Sequence, residues 1–167
     1  MRIKRLSLGL VGAFLGMLMS VPATGFAQAA DHPNHREGGR VVTLPPAPAG
    51  TGFQTSSTLG AAAVAPTISP AVRTEHGAPG SSYDCPSGNL CTHVWDPTTS
   101  SWKTFFLYNC YKYALANWNG MGAYYNNQTG GVRSYFYDGN NRVLKSFTPD
   151  PYDHDQDWTP VWYIRNC

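Results

Sequence analysis

Glutamate is absent after Glu75, cysteine is absent before Cys85, and between residues 30 and 82 the only aromatic residue is Phe53. Each absence excludes something. Without Glu from residue 83 onward, the Glu-based carboxylate pairs used for glycoside cleavage have no source in the aromatic half of the chain. No nucleophile elbow, zinc-protease helix or phosphate loop occurs, and no triad of Ser, His and Asp is singled out, so the chain reads as non-catalytic. No C-x-x-C pair occurs either, which argues against a zinc site. After residue 22 no apolar run is long enough for the roughly 20 residues that a bilayer requires. Charge is sparse, at 13% of residues, and the formal net charge of +2 is a sum of unlike parts. Residues 83–167 carry Lys103, Lys112, Arg133, Arg142, Lys145 and Arg165 against seven Asp. That near-neutral balance offers no electrostatic footprint for nucleic acid.

What the N-terminus does contain is ordered. Arg2, Lys4 and Arg5 precede an apolar run over 6–19, Pro22 breaks it, and small residues follow at Ala27-Gln28-Ala29. Cationic end, apolar core and small-residue site are the features of a secretory signal peptide, so residues 1–29 are expected to be removed and the remainder exported, soluble and monomeric. Residues 30–82 are rich in Ala, Pro, Gly, Ser and Thr, and this composition buries too little apolar surface to offset backbone ordering. A disordered spacer is expected there, or a pro-segment, with Val41-Val42-Thr43-Leu44 as the one stretch suited to lie extended against a domain.

Aromatics become dense from Tyr83, where a single small domain over 83–167 is expected to begin. Its four cysteines, Cys85, Cys91, Cys110 and Cys167, are an even number in an exported chain and read as two disulfides. Three pairings exist; Cys85 with Cys91 is favoured because Pro86, Ser87 and Gly88 supply a turn, leaving Cys110 for Cys167. Alternating patterns predict strands near 89–95, 102–108, 122–126, 132–137, 142–147 and 160–166, and Asp138-Gly139-Asn140-Asn141 marks a hairpin. Tyr111, Leu115 and Trp118 share a face at helical spacing, so one helical turn is expected over 111–118. An all-β sandwich or barrel follows.

The run Cys85-Pro86-Ser87-Gly88-Asn89-Leu90-Cys91, then Leu115-Ala116-Asn117-Trp118-Asn119, then Tyr125-Asn126-Asn127-Gln128-Thr129-Gly130-Gly131 and an aromatic strand ending at Tyr137-Asp138 resembles a family of small secreted bacterial peptidase inhibitors. The resemblance is to the Streptomyces metalloproteinase inhibitor type and covers residues 83–167. It implies a single βγ-crystallin-like domain of two packed Greek keys that presents a rigid loop to an extracellular metalloprotease. In the best-known inhibitor of that family the reactive bond lies in a second short disulfide loop in the later half of the domain. Here the cysteine after Cys110 is Cys167, so the candidate inhibitory loops become Pro86, Ser87, Gly88 and Asn89, or Asn126, Asn127, Gln128 and Thr129.

The same fold suggests calcium binding through oxygen ligands. In the corresponding stretch, 119–124, only Asn119 retains a ligand. Asp153, Asp155 and Asp157 form a second acidic cluster, read as a solvated loop or, alternatively, a cation site. His93 and His154 with Asp96 or Asp153 are the candidate base pairs, with Ser81, Ser82, Ser100, Ser101 or Ser134 as nucleophiles. A calcium- or glycan-binding module of the cell surface or wall is thus the alternative, its glycan form raised by the tryptophans and tyrosines and favoured by a row of exposed indoles. A small secreted toxin or antimicrobial protein on the same fold is the third reading.

Overall fold

The structure, a computed structural model, describes residues 38–50 and 62–167, all within the unit Asn34–Cys167. The expected signal peptide, 1–29, lies outside the described residues. Twelve strands and no helix are found among the described residues: β1 (Arg40–Thr43), β2 (Thr67–Ser69), β3 (Arg73–Gly77), β4 (Ser82–Cys85), β5 (Asn89–Asp96), β6 (Ser101–Leu107), β7 (Lys112–Ala116), β8 (Met121–Asn127), β9 (Ser134–Tyr137), β10 (Val143–Phe147), β11 (Asp153–Asp157) and β12 (Tyr163–Arg165). The fold is all-β, as expected, with every pairing antiparallel.

A central sheet has the order β11-β8-β5-β6-β3, an outer sheet the order β10-β9-β12-β7-β2, and β1 pairs with β4. The sheets are interlocked. Of the run β5 to β8, the third strand, β7, crosses to the outer sheet; of the run β9 to β12, the third strand, β11, crosses to the central one. Each half therefore donates a strand to the other half's sheet, and neither sheet is complete from one half alone.

The main core lies between the two sheets. Leu90, Val94, Phe105, Leu107 and Tyr124 of the central sheet meet Tyr113, Phe136 and Ile164 of the outer one, with Trp118, Trp158 and Val161 filling the ends. On the opposite face of the central sheet, Cys91, Trp102, Phe106 and Tyr125 are covered by Val42, Leu44, Tyr83 and Cys85 from the β1-β4 pair. A strand covered on both faces loses its alternating pattern, which is why β5 is buried almost throughout. The hairpin at Asp138 forms as expected: its Oδ1 accepts the amides of Asn140 at 2.8 Å and Arg142 at 2.9 Å, and Asn141 takes φ 63°.

Three expectations are corrected. Residues 111–118 form no helical turn. Within that stretch Tyr113 is buried while Lys112 and Ala114 are exposed, a period of two, and β7 completes its main-chain ladder between β12 and β2. The acidic stretch is not a loop but the edge strand β11, paired along its length with β8.

The third correction concerns the spacer. The fold already includes Arg40, and residues 62–82 add edge strands to both five-stranded sheets, β2 beside β7 and β3 beside β6. The alternative reading of 41–44 as an extended stretch fits β1, where Val42 faces Tyr83 in register. These segments need little apolar surface of their own because the domain reaches out to their carbonyls. Trp102 Nε1 donates to Pro45 O at 2.9 Å, Trp118 Nε1 to Thr67 O at 2.8 Å and Lys103 Nζ to Pro66 O at 3.0 Å.

Candidate functional site

The two disulfides are Cys85–Cys91 and Cys110–Cys167, the pairing favoured from the sequence. Inside the first, Asn89 folds back: its amide donates to Pro86 O at 3.2 Å, and its Nδ2 to Pro86 O and Ser87 O, each at 3.3 Å. Gly88 sits at φ 83°, a conformation open to glycine, and a Cβ there would come within 2.9 Å of Tyr108 Cε2. The second candidate loop is also tied internally. Gln128 donates its amide to Asn126 Oδ1 at 3.2 Å and its Nε2 to Asn166 O, while its Oε1 accepts from Ser134 Oγ at 2.7 Å.

The two loops are neighbours. Gly88 N donates to Asn127 O at 2.8 Å, and Asn127 Nδ2 donates to Cys85 O and to Gly38 O, each at 2.9 Å. The structure thus joins segments that the sequence left as alternatives. Their residues divide by exposure. Asn89 and Asn126 are buried, Pro86, Gly88, Asn127 and Gln128 are half-buried, and Ser87, Thr129, Gly130 and Gly131 face solvent. The buried and half-buried amides fix the loops, and the exposed residues are what a partner meets.

Beside these loops lies a cleft of about 460 Å³ lined by Ser87, Gly88, Gln128 and Thr129 together with both Cys110 and Cys167. A second cleft, about 420 Å³, is lined by Arg73, Asn89, Phe106 and Tyr113. Tyr108 and Asn109 line both. Tyr108, 67% exposed, therefore stands between two concavities at the disulfide end. Sequence reasoning assigned it only to a strand; its place just beyond the end of β6 and two residues before Cys110 was the available signal.

Other candidates are dispersed. Asp153, Asp155 and Asp157 alternate along β11, on the exposed positions of its pattern, and a two-residue step separates their Cα atoms by roughly 6.5–7 Å. Asp157 Oδ1 instead accepts the Thr159 amide at 3.0 Å, and Asn119 lies in the loop before β8. Among the described residues no group of three or more His, Cys, Asp or Glu side chains is placed to hold a metal.

Asp96 pairs with His76 at 3.2 Å rather than with either histidine proposed as a base. Burial pushes the Asp96 carboxyl up, but bonds from Thr98 and His76 outweigh this and hold it below the usual carboxylate range. His93 is fully buried, 3.3 Å from Tyr83 Oη, 3.4 Å from Thr104 Oγ1 and 3.8 Å from Asp153 Oδ1. Burial, with the Asp153 charge adding to it, drives the Tyr83 hydroxyl far above its ordinary value. His154 pairs with Asp150 at 2.9 Å and stacks on Tyr124, whose hydroxyl burial and the Asp150 charge push up to about 12. Ser81, Ser101 and Ser134 bond to Ala78 O, Thr99 and Gln128, not to a histidine.

Of the tryptophans, Trp102, Trp118 and Trp158 are buried with their indole N–H groups bonded, Trp95 is half-buried and Trp162 is 57% exposed. A row of exposed indoles is not formed. No helix among the described residues is long and apolar enough to cross a membrane. Comparison with protein-family models, curated proteins and solved structures gives no significant match.

Proposed function

We propose that this chain is a secreted, non-catalytic inhibitor that binds an extracellular protease, of the metalloprotease class, through the joined loops at its disulfide end. The observation carrying this reading is the coupling of the 85–91 and 126–131 loops by the bonds from Gly88 N to Asn127 O and from Asn127 Nδ2 to Cys85 O. A short segment closed by a disulfide and braced by a second loop loses little freedom on docking, so more of the contact energy remains as affinity. Ser87 and Thr129 would enter the protease cleft, with Tyr108 alongside. The exchange of third strands between the two halves supports the crystallin-like Greek-key reading that the family resemblance implies. Two disulfides are consistent with an oxidising, extracellular location.

The test is titration of the oxidised protein against a thermolysin-like metalloprotease and a subtilisin-like serine protease, with its own integrity followed by mass spectrometry. Stoichiometric inhibition of the metalloprotease is expected, with the chain intact or nicked at one bond within 85–91 or 126–131. Absence of inhibition, or rapid digestion through these loops, would refute the reading.

A further inference from the structure

The near-neutral composition of the aromatic half conceals a separation of charge. The outer-sheet strands β7, β9, β10 and β12 with their turns, residues 110–118, 132–147 and 160–167, hold Lys112, Arg133, Arg142, Lys145 and Arg165 against the single acid Asp138. Asp138 is itself paired with Arg142 at 2.7 Å. The central-sheet segments, residues 73–77, 89–107, 119–127 and 148–159, are acidic on balance, with Glu75, Asp96, Asp150, Asp153, Asp155 and Asp157 against Arg73 and Lys103.

The outer face of the outer sheet is aromatic as well as cationic. Tyr113, Phe136 and Ile164 point into the core, so the alternating positions Lys112, Tyr135, Tyr137, Tyr163 and Arg165 form the opposite face. Lys112 is exposed, yet it is held. Its Nζ lies 4.6 Å from the Tyr137 ring centroid and 4.8 Å from that of Tyr163, and it donates to Asn141 Oδ1 at 2.6 Å. No carboxylate among the described residues pairs with it. Arg165 spends Nε on the Cys167 main-chain oxygen at 2.9 Å. Trp162 borders the same hairpin turn: Gly139 lies beneath its indole, where a Cβ would sit 3.3–3.5 Å from three ring atoms.

We infer that this face is a second binding surface, for a carboxylate-bearing polysaccharide. A fixed ammonium on a tyrosine platform meets the carboxylate, and the exposed indole offers a flat apolar surface to the C–H face of a neighbouring sugar. Single-stranded nucleic acid is the poorer match, because base stacking needs open ring faces and Lys112 already occupies one face of both Tyr137 and Tyr163. The inference does not rest on protease inhibition, since it uses a different face and a different ligand.

Titration of the oxidised protein with polygalacturonate, and with its methyl ester as the uncharged counterpart, tests it. Polygalacturonate is expected to bind at least ~10-fold more tightly than the ester, and Lys112→Ala and Trp162→Ala each to weaken binding by about 10-fold. Lys112→Arg should retain most of the affinity, and Asp155→Ala on the central sheet all of it. Unchanged thermal midpoints in these variants, whose side chains are exposed, separate lost binding from lost folding. The inference is overturned if polygalacturonate does not bind, if the ester binds equally, or if Lys112→Ala has no effect in a folded protein. Equal binding of polyglutamate, or tighter binding of oligothymidylate or phosphatidylserine vesicles, would overturn it too.

Discussion

The central and outer sheets have equal numbers of strands but opposite circumstances. The central sheet is covered on both faces, by the main core on one side and by the β1-β4 pair on the other, whereas the outer sheet buries one face and presents a row of tyrosines and cations on the other. Burial on two faces makes a sheet a foundation; burial on one leaves a surface free for chemistry. Covalent reinforcement follows the same division. Cys110 and Cys167 flank β7 and β12 of the less covered sheet, while Cys85–Cys91 closes only a short loop between β4 and β5.

The sharpest way to break this comparison is to remove the disulfides one at a time. In the chain-entropy picture the 57-residue separation of Cys110–Cys167 stabilises by about 4 kcal/mol and the 6-residue separation of Cys85–Cys91 by about 2.4 kcal/mol. The double Cys→Ala variant of the long loop should therefore show the larger fall in denaturant midpoint. Equal falls would mean that the outer sheet does not depend on its staple.

Packing gives the next largest contrast. Trp102, buried beneath β1 and bonded to Pro45 O, should cost about 3–5 kcal/mol when changed to Ala, because the change leaves both a cavity and an unpaired carbonyl. Tyr163→Ala on the open face should cost well under half of that. Comparable losses in chemical denaturation would show that the open face is in fact covered.

The smallest effect is set by pH. A carboxyl whose folded value is depressed adds stability above its unfolded value and loses it as pH falls through the folded one. At pH 7 Asp96→Asn should be less stable than the parent by about 1–2 kcal/mol, given the hydrogen bonds to Thr98 and His76 that the charge strengthens. The two stability curves should begin to converge below about pH 4, where an unfolded Asp protonates, and meet once the pH falls below the depressed folded value. A gap that persists unchanged at pH 2 would assign the role of Asp96 to shape rather than charge.

The sequence carried local features well and distant ones poorly. Strands β5, β6 and β8 and the turn at Asp138 were legible because apolar runs and the turn residues that bound them are properties of neighbouring residues. The disulfide pairing followed from the turn between Cys85 and Cys91. β7 was misread because Tyr111, Leu115 and Trp118 also satisfy a helical period, and only the flanking strands β12 and β2 decide between the two. β1 was visible only as an alternative extended stretch over 41–44, and β2 and β3 were hidden, for a related reason. The side-chain bonds that hold the segments at β1 and β2 end on main-chain oxygens of Pro45, Pro66 and Thr67, and a carbonyl acceptor leaves no mark in composition.

The candidate site followed the same rule. Both loops were visible separately, but their union depends on the Asn127 side chain reaching Cys85, 42 positions away, and Tyr108 gained its place from clefts that only the fold creates. Near-neutral charge was read as the absence of a basic face, because summing over residues 83–167 erases which sheet each charge occupies.

The most direct test of the two-loop surface is amide hydrogen exchange on the oxidised protein, alone and with a saturating inactive thermolysin-like protease. Slowed exchange in both 85–91 and 126–131, with 135–137 and 163–165 unaffected, is the expected result. Slowing confined to one loop, or absent from both, would contradict the claim that the disulfide end acts as a single protease-binding surface.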